Sequence, residues 1–340
     1  MKRILPLLLL LTLVLNACSL PIASTPAAAT SPVGTQILVS TRTSAGTLAI
    51  NYGVTPRDYI KDLTDIGPRV AGTDQETQAA EVIANIFAGF GYPTETQPFA
   101  ETADNGKTVH SANVVAIKSG KSTREIIVGA HYDSAEVGLG VDDNASGVAV
   151  MLEAAQLIKD VVTPYAIRFI AFGAEEAGLL GSYAYLNKMS KADFENTVAM
   201  INLDSLVAGD IAYVYSDEDP QSALRDWTLQ WAFGNNGLDL QTIHDVDLSD
   251  DDGSGTSDYA AFREAGIPYV YFEATDWTLG DQDGYTQVNP QYGDNGKIWH
   301  TKYDTLEYLD ATFPGRVDQH LDLFVQILYA ILTQYESPIQ

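Results

Sequence analysis

The sequence predicts an α/β protein: a three-layer α/β/α sandwich around a mixed, mostly parallel twisted sheet. Three observations lead there. Short apolar runs such as Ile167 to Phe172 and Val198 to Leu203 read as strands buried on both faces. Segments with helical spacing of apolar residues separate them, an alternation that builds a sheet covered by helices. Carboxylates and histidines fall where these strands end, and open α/β sheets bind ligands beyond the C-terminal ends of their strands.

The start of the sequence reads as a leader. Lys2 and Arg3 precede an apolar run from Ile4 to Leu15. That run is short of the roughly 20 residues needed to cross about 30 Å of hydrocarbon, and it reads as a secretory signal. It ends in Leu15-Asn16-Ala17-Cys18, which resembles a bacterial lipobox. The resemblance implies a lipoprotein signal peptide over 1–17, removed before Cys18. Lipid on Cys18 would then hold an extracytoplasmic protein to the membrane. Cys18 is the only cysteine, so the folded domain has no disulfide to lean on. Residues 18–50 are rich in Ser, Thr, Ala and Pro and read as a flexible tether. One folded domain is expected over 51–338.

The elements follow in order. Thr73 to Gly91 reads as a helix, with Ala79, Ala80, Val82, Ile83, Ile86 and Phe87 on one stripe and Gly91 as its stop. Asn113 to Ile117 and Glu125 to Ala130 are β-rich. Ser146 to Ile158 is expected to be helical, Ile167 to Phe172 a strand, and Ala177 to Met189 a helix. Strands are expected over Val198 to Leu203, Ile211 to Tyr215 and Tyr269 to Phe272. Helices are expected over Ser222 to Phe233 and Ser257 to Ala265, and one long helix from Phe313 to Tyr335.

The formal charge is −26, from 19 Lys and Arg against 45 Asp and Glu. That excludes nucleic-acid binding through a basic surface and charge-driven docking on anionic lipid. A hydrophobic content of 46% supplies a core, so the acidity is not that of a disordered chain.

Five segments place acids and histidines at strand ends or turns. His131 ends the run Ile126 to Ala130, with Asp133 two residues on, where it could receive a ring N–H of His131 and fix its tautomer. Read singly, this His is as good a capping or core residue. Asp142 and Asp143 open the Ser146 helix and read singly as dipole partners. Glu175 and Glu176 share a strand-to-helix turn, where one could hold a metal and the other act as a base. Asp204 ends a buried strand, and His300 sits in a polar loop that continues to Asp304. Two His and several carboxylates form an N/O donor set suited to zinc, with cobalt or manganese as alternatives. A shared carboxylate could hold two ions about 3.5–4 Å apart with a water between them.

The stretches Gly129-Ala130-His131-Tyr132-Asp133-Ser134, Asp142-Asp143-Asn144-Ala145-Ser146-Gly147, Phe172 to Ser182, Asn202-Leu203-Asp204 and His300-Thr301 resemble the M28 family of co-catalytic dizinc aminopeptidases. Ile66 to Gly72, Ser257-Asp258-Tyr259 and Gly266-Ile267-Pro268 match as well, so the resemblance covers about residues 56 to 336. It implies the zinc-exopeptidase fold and two zinc ions per chain. His131 and Asp204 would hold one ion and Glu176 and His300 the other, with Asp142 bridging and the Asp142–Asp143 peptide bond cis. Glu175 would be the general base for a metal-bridging hydroxide, and Asp133 the partner of His131. The implied substrates are peptides with a free N-terminus. Two positions depart from the family pattern. Trp299 stands where relatives often carry an oxyanion-holding Tyr, and Tyr259 follows Asp258 where some carry His. Trp299, Asp258 and Tyr259 are therefore candidate pocket or oxyanion residues.

Two other readings remain. A glutaminyl cyclase or carboxypeptidase of the same fold would share part of the donor set, although the cyclases bind one zinc. A catalytically inactive binding domain would have no need of Glu175. The acidic run from Asp245 to Gly253 lacks the glycine of an EF-hand loop and reads as a solvated loop. Asp276 to Asp294 is expected to form the pocket rim. His110, His244 and His320 read as structural or surface residues.

Overall fold

The computed structural model describes residues 54–103, 105–218, 221–243 and 257–337. The leader, Cys18, the tether, His244 and the acidic run from Asp245 to Gly253 lie outside the described residues.

Helix α1 (Pro56–Thr64) starts on a proline, and the Asp58 carboxylate accepts from the Thr55 amide at 2.8 Å. Helix α2 (Asp74–Gly89) is capped by Thr73, whose hydroxyl accepts from the Glu76 amide at 3.3 Å. Strands β1 (Thr94–Thr102) and β2 (Thr108–Lys118) form an antiparallel pair. The sequence reading overlooked β1, and the reason is physical. It is an edge strand carrying Pro98, with almost all of its side chains partly or fully exposed, so it lacks the apolar pattern of a buried strand.

The sheet order is β1-β2-β4-β3-β5-β7-β6. Strands β4 (Ala166–Phe172), β3 (Glu125–His131), β5 (Thr197–Leu203) and β7 (Tyr269–Thr275) run parallel in the centre. Strand β2 joins β4 antiparallel, and β6 (Ile211–Tyr215) joins β7 antiparallel at the other edge. The parallel character is thus confined to the four central strands.

Alternation along the strands feeds two apolar layers. From β3, Ile126, Val128 and Ala130 join one layer and Ile127 the other. The first layer is covered by α1, α2, α3 (Gly147–Ile158), α6 (Ala223–Trp231) and α9 (Arg316–Gln334), through Ile60, Phe87, Met151, Leu224 and Leu328. The second is covered by α4 (Leu180–Lys188) and α7 (Tyr259–Glu264), through Tyr185 and Phe262. A short helix α5 (Lys191–Asn196) precedes β5. The long helix expected from Phe313 to Tyr335 is found as α9, beginning at Arg316. Helix α8 (Leu306–Thr312) ends before it, and Gly315, at φ 83°, turns the chain into α9. Helix α4 likewise starts late, because Gly178 and Leu179 adopt left-handed backbone first.

One buried acid sets a stability term. Glu153 on α3 is 1% exposed, and burial pushes its carboxyl up to about 8. A carboxyl raised on folding favours the fold fully below its unfolded value near 4.5, and that contribution is lost as the pH rises through about 8. Glu153→Gln is therefore expected to flatten the fall in stability across this window by a few kcal/mol. Denaturant midpoints measured from pH 5 to pH 9 check this; parallel curves for the two proteins would contradict it.

Candidate metal centre

The parallel strands deliver their C-terminal ends to one place. His131 is the last residue of β3, and Asp204 follows β5, its amide donating to the Phe272 carbonyl of β7 at 3.1 Å. Glu175 and Glu176 lie on the turn after β4, and the segment Val141–Ser146 leads into α3. His300 comes from the long loop before α8.

His131 Nε2 lies 3.1 Å from Asp143 Oδ1, 3.4 Å from Asp204 Oδ1 and 4.0 Å from Glu175 Oε2. His300 Nε2 lies 3.0 Å from Asp143 Oδ2 and 2.8 Å from Glu176 Oε2. Two three-membered donor groups result, His131 with Glu175 and Asp204, and Asp143 with Glu176 and His300, each with donor atoms within 4.8 Å of one another. Asp143 stands between them, one oxygen toward each histidine.

This corrects the sequence reading by one residue. Asp142 does not face the cluster. Its Oδ1 accepts from the amides of Val207 and Ala208 at 2.8 and 2.9 Å, and its Oδ2 accepts from Gln287 Nε2 at 2.6 Å. The cis bond is Asp143–Asn144, not Asp142–Asp143. Asn144 also turns away, donating to the Leu203 carbonyl at 2.8 Å and accepting from the Gly147 amide at 2.9 Å. Three adjacent polar side chains face three directions, which adjacency in sequence does not reveal. Gly147 lets this happen, since a Cβ there would come within 2.4 Å of the Leu203 oxygen.

Asp133 faces more than its histidine. It stands 3.4 Å from His131 Nδ1, while its two oxygens accept from the amides of Glu175 and Glu176 at 3.0 and 3.1 Å. It therefore fixes the turn that carries both glutamates. Asp304 does the same for the aspartates, accepting from the amides of Asp142 and Asp143 at 2.7 and 3.2 Å. Arg69 is fully buried and donates to the carbonyls of Tyr132, Leu139 and Gly140 at 2.7, 2.8 and 2.9 Å, tying down the chain between His131 and Asp142. Gln287 links Asp142 to the His300 loop, its Oε1 accepting from the amides of Ile298 and Trp299 at 2.9 and 3.0 Å. Ser257 donates to Asp204 Oδ2 at 2.7 Å.

Sequence reasoning did not single out Asp304 or Gln287. Asp304 lies four residues past His300 and could have been read with it; Gln287 carries no motif at all.

The other candidates separate. Asp258 is fully buried, and burial pushes its carboxyl up to about 7 while His131 draws it down. Tyr259 belongs to the second apolar layer, stacked on Tyr269 and Tyr271 at 4.7 and 5.0 Å, rather than to the cluster. Trp299 is half-buried beside the His300 ring at 4.6 Å, with Lys297 Nζ 3.5 Å from its own ring centroid. His320 is half-buried on α9 with Nδ1 3.2 Å from the Leu206 carbonyl.

Three residues at or beside the cluster, Ala174, Ser205 and His300, adopt left-handed backbone at φ 54°, 53° and 56°. Side chains other than glycine visit this region rarely, and such strain concentrates at functional sites.

The electrostatics are those of a cation site. Burial opposes charge on both histidines, yet the surrounding carboxylates hold His131 well above its ordinary value and His300 up to about 10. Burial pushes Glu175 well above the carboxylate range and Glu176 up to about 7. Among the described residues, the only ion-pair partners of Asp143, Glu175, Glu176 and Asp204 are these histidines. The Glu176 Oε1 atom is buried without a hydrogen bond. Four carboxylates with two imidazoles and no thiol fit a zinc site.

Comparison with known proteins agrees. The model of peptidase family M28 matches residues 113–325. The chain is 32% identical over 295 residues to the alkaline phosphatase isozyme conversion protein of Escherichia coli K12, covering 78% of this chain and 85% of that one. It is 30% identical over 278 residues to the probable lipoprotein aminopeptidase LpqL of Mycobacterium tuberculosis, covering 76% of this chain and 53% of that one. The structure of a zinc aminopeptidase from Bacillus subtilis shares the fold, with a TM-score of 0.66 at 20% identity, covering 85% of this chain and 98% of that one. Fold and site define a metallopeptidase of the zinc-exopeptidase type. The chain belongs to peptidase family M28.

Proposed function

We propose that the protein is a dizinc aminopeptidase, held outside the cytoplasm by lipid on Cys18. The observation that carries the reading is Asp143, with one oxygen toward each histidine at 3.1 and 3.0 Å. In this reading His131 and Asp204 would hold one ion and Glu176 and His300 the other, with Asp143 available to both. Bound zinc supplies Lewis acidity, lowering the pKa of water and polarising a carbonyl. Glu175 takes a proton from the attacking water and returns it to the leaving amine. Asp133 holds Glu175 in place through its amide and keeps the His131 ring oriented. The carboxylates attract a substrate's α-ammonium and so favour cleavage at a free N-terminus. Trp299 and Lys297 stand at the His300 side of the site, where the substrate carbonyl would pass. Two separate donor groups support two ions over the single ion of a cyclase. The lipobox-like run ending in Cys18 and the likeness to the probable lipoprotein aminopeptidase of Mycobacterium tuberculosis support the anchor.

An aminoacyl-anilide panel with metal counting tests the reading. About two zinc per chain, loss of turnover with chelator and no cleavage of N-acetylated substrates are expected. Equal cleavage of blocked and free substrates would remove the aminopeptidase assignment.

A further inference from the structure

Beside Asp204 lies a second acid that the proposed chemistry does not use. Leu203 of β5 pairs with Phe272 of β7, and both side chains enter the first apolar layer. The next residue on each strand is Asp204 and Glu273. Both side chains therefore leave that layer on the opposite face, side by side at the C-terminal edge of the sheet.

Glu273 is held open and oriented. Its Oε1 accepts from the Tyr215 hydroxyl and its Oε2 from the Tyr271 hydroxyl, both at 2.8 Å. Trp277 Nε1 donates to the Tyr215 oxygen at 2.7 Å, which leaves that hydroxyl's proton for Glu273. A carboxylate has about four acceptor positions, so each oxygen keeps one lone pair beyond its tyrosine. Tyr215 and Tyr271 lie 5.6 Å apart within a buried stack that continues to Tyr213 on one side and Tyr259 on the other, so they present hydroxyls to the carboxylate while their faces are covered. No described Lys, Arg or His lies within ion-pair distance of Glu273, and the residue is only partly buried. Burial pushes its carboxyl up to about 7, with the two tyrosines drawing it back. A partly exposed carboxylate with two fixed donors, free lone pairs and no cation among the described residues is built to receive one.

We propose that Glu273, fixed by the hydroxyls of Tyr215 and Tyr271, is a specificity-determining residue that binds the basic side chain of an N-terminal Lys or Arg. The inference rests on the aminopeptidase reading. The α-ammonium meets the cluster at Asp204, while the side chain of the same residue runs along β7 to Glu273. Its cationic head meets the carboxylate.

The test compares lysyl- and norleucyl-anilides, which differ by the ammonium group, on the zinc-loaded full chain and on Glu273→Gln. The wild type should favour lysyl over norleucyl in kcat/KM by at least about tenfold. The variant should lose most of that ratio, the loss falling on KM for the lysyl substrate. A preference of the wild type for norleucyl overturns the proposal without any variant. So does a ratio that Glu273→Gln leaves unchanged, or one in which both substrates fall together, as a structural role would give. Calorimetric binding of lysinamide against norleucinamide supplies a readout apart from turnover. If no free aminoacyl substrate is cleaved but lysinamide still binds better and only when Glu273 is present, the aminopeptidase reading fails and the cation site stands. If cleavage proceeds without discrimination, the reverse holds.

Discussion

Asp143→Asn is expected to abolish turnover and lower the zinc content, whereas Asp142→Asn is expected to lower stability first. Asp143 offers one oxygen to each half of the donor set, and an amide replaces one of those anionic donors with an N–H group that cannot ligate. Several kcal/mol of transition-state stabilisation depend on such ions, so a loss of at least about a thousandfold in kcat is expected. Asp142 is different in kind. Both of its oxygens accept, from Val207, Ala208 and Gln287. An Asn amide would turn its N–H group toward one of those donors, leaving a buried pair unsatisfied at about 1–3 kcal/mol. Zinc content, kcat and unfolding midpoint measured on the two variants separate the roles. Loss of metal in Asp142→Asn with metal retained in Asp143→Asn would restore the assignment first read from the sequence.

Glu175→Gln is the second large effect. The carboxylate stands 4.0 Å from His131 Nε2, and burial and the neighbouring acids hold its proton affinity high. The amide fills the same space but accepts no proton. Both zinc ions should remain, and kcat should fall by roughly a hundredfold to ten-thousandfold, the range for a lost general base. KM should change little by comparison, because the group acts on the proton in flight rather than on bound substrate. A variant that turns over at the wild-type rate removes Glu175 as the base. One that loses zinc would instead make it a ligand, consistent with its place in the first donor group.

These two variants mark where the sequence was legible and where it was not. Strand cores such as Val198 to Leu203 announced themselves by continuous apolar character, and His131 and Asp204 by standing where such runs stop. Strand β1 and helix α1 did not. Their side chains are largely exposed or mixed, and pairing with β2 or packing on α3, not local pattern, holds them in place. At the site, the motif placed the right run of residues but the wrong member of it. Asp142, Asp143 and Asn144 are chemically alike as acceptors, and only the tertiary partners decide which faces inward. Those partners, Gln287, Asp304 and the amides after Asp204, lie 60 to 160 residues away in sequence. Tyr259, read as a pocket candidate because it follows a buried acid, packs its ring in the stack with Tyr269 and Tyr271, a placement that only the tertiary structure reveals. Glu273 escaped notice because it stands alone in an aromatic strand, with no pattern to mark it.

The central claim is a pair of ions organised by Asp143, and diffraction from zinc-loaded crystals, using the anomalous signal at the zinc edge, tests it most directly. Two peaks are predicted, one flanked by His131 and Asp204 and the other by Glu176 and His300, with the Asp143 carboxylate between them and Asp142 still bonded to Gln287. A single peak, or two peaks joined by Asp142, would contradict the account.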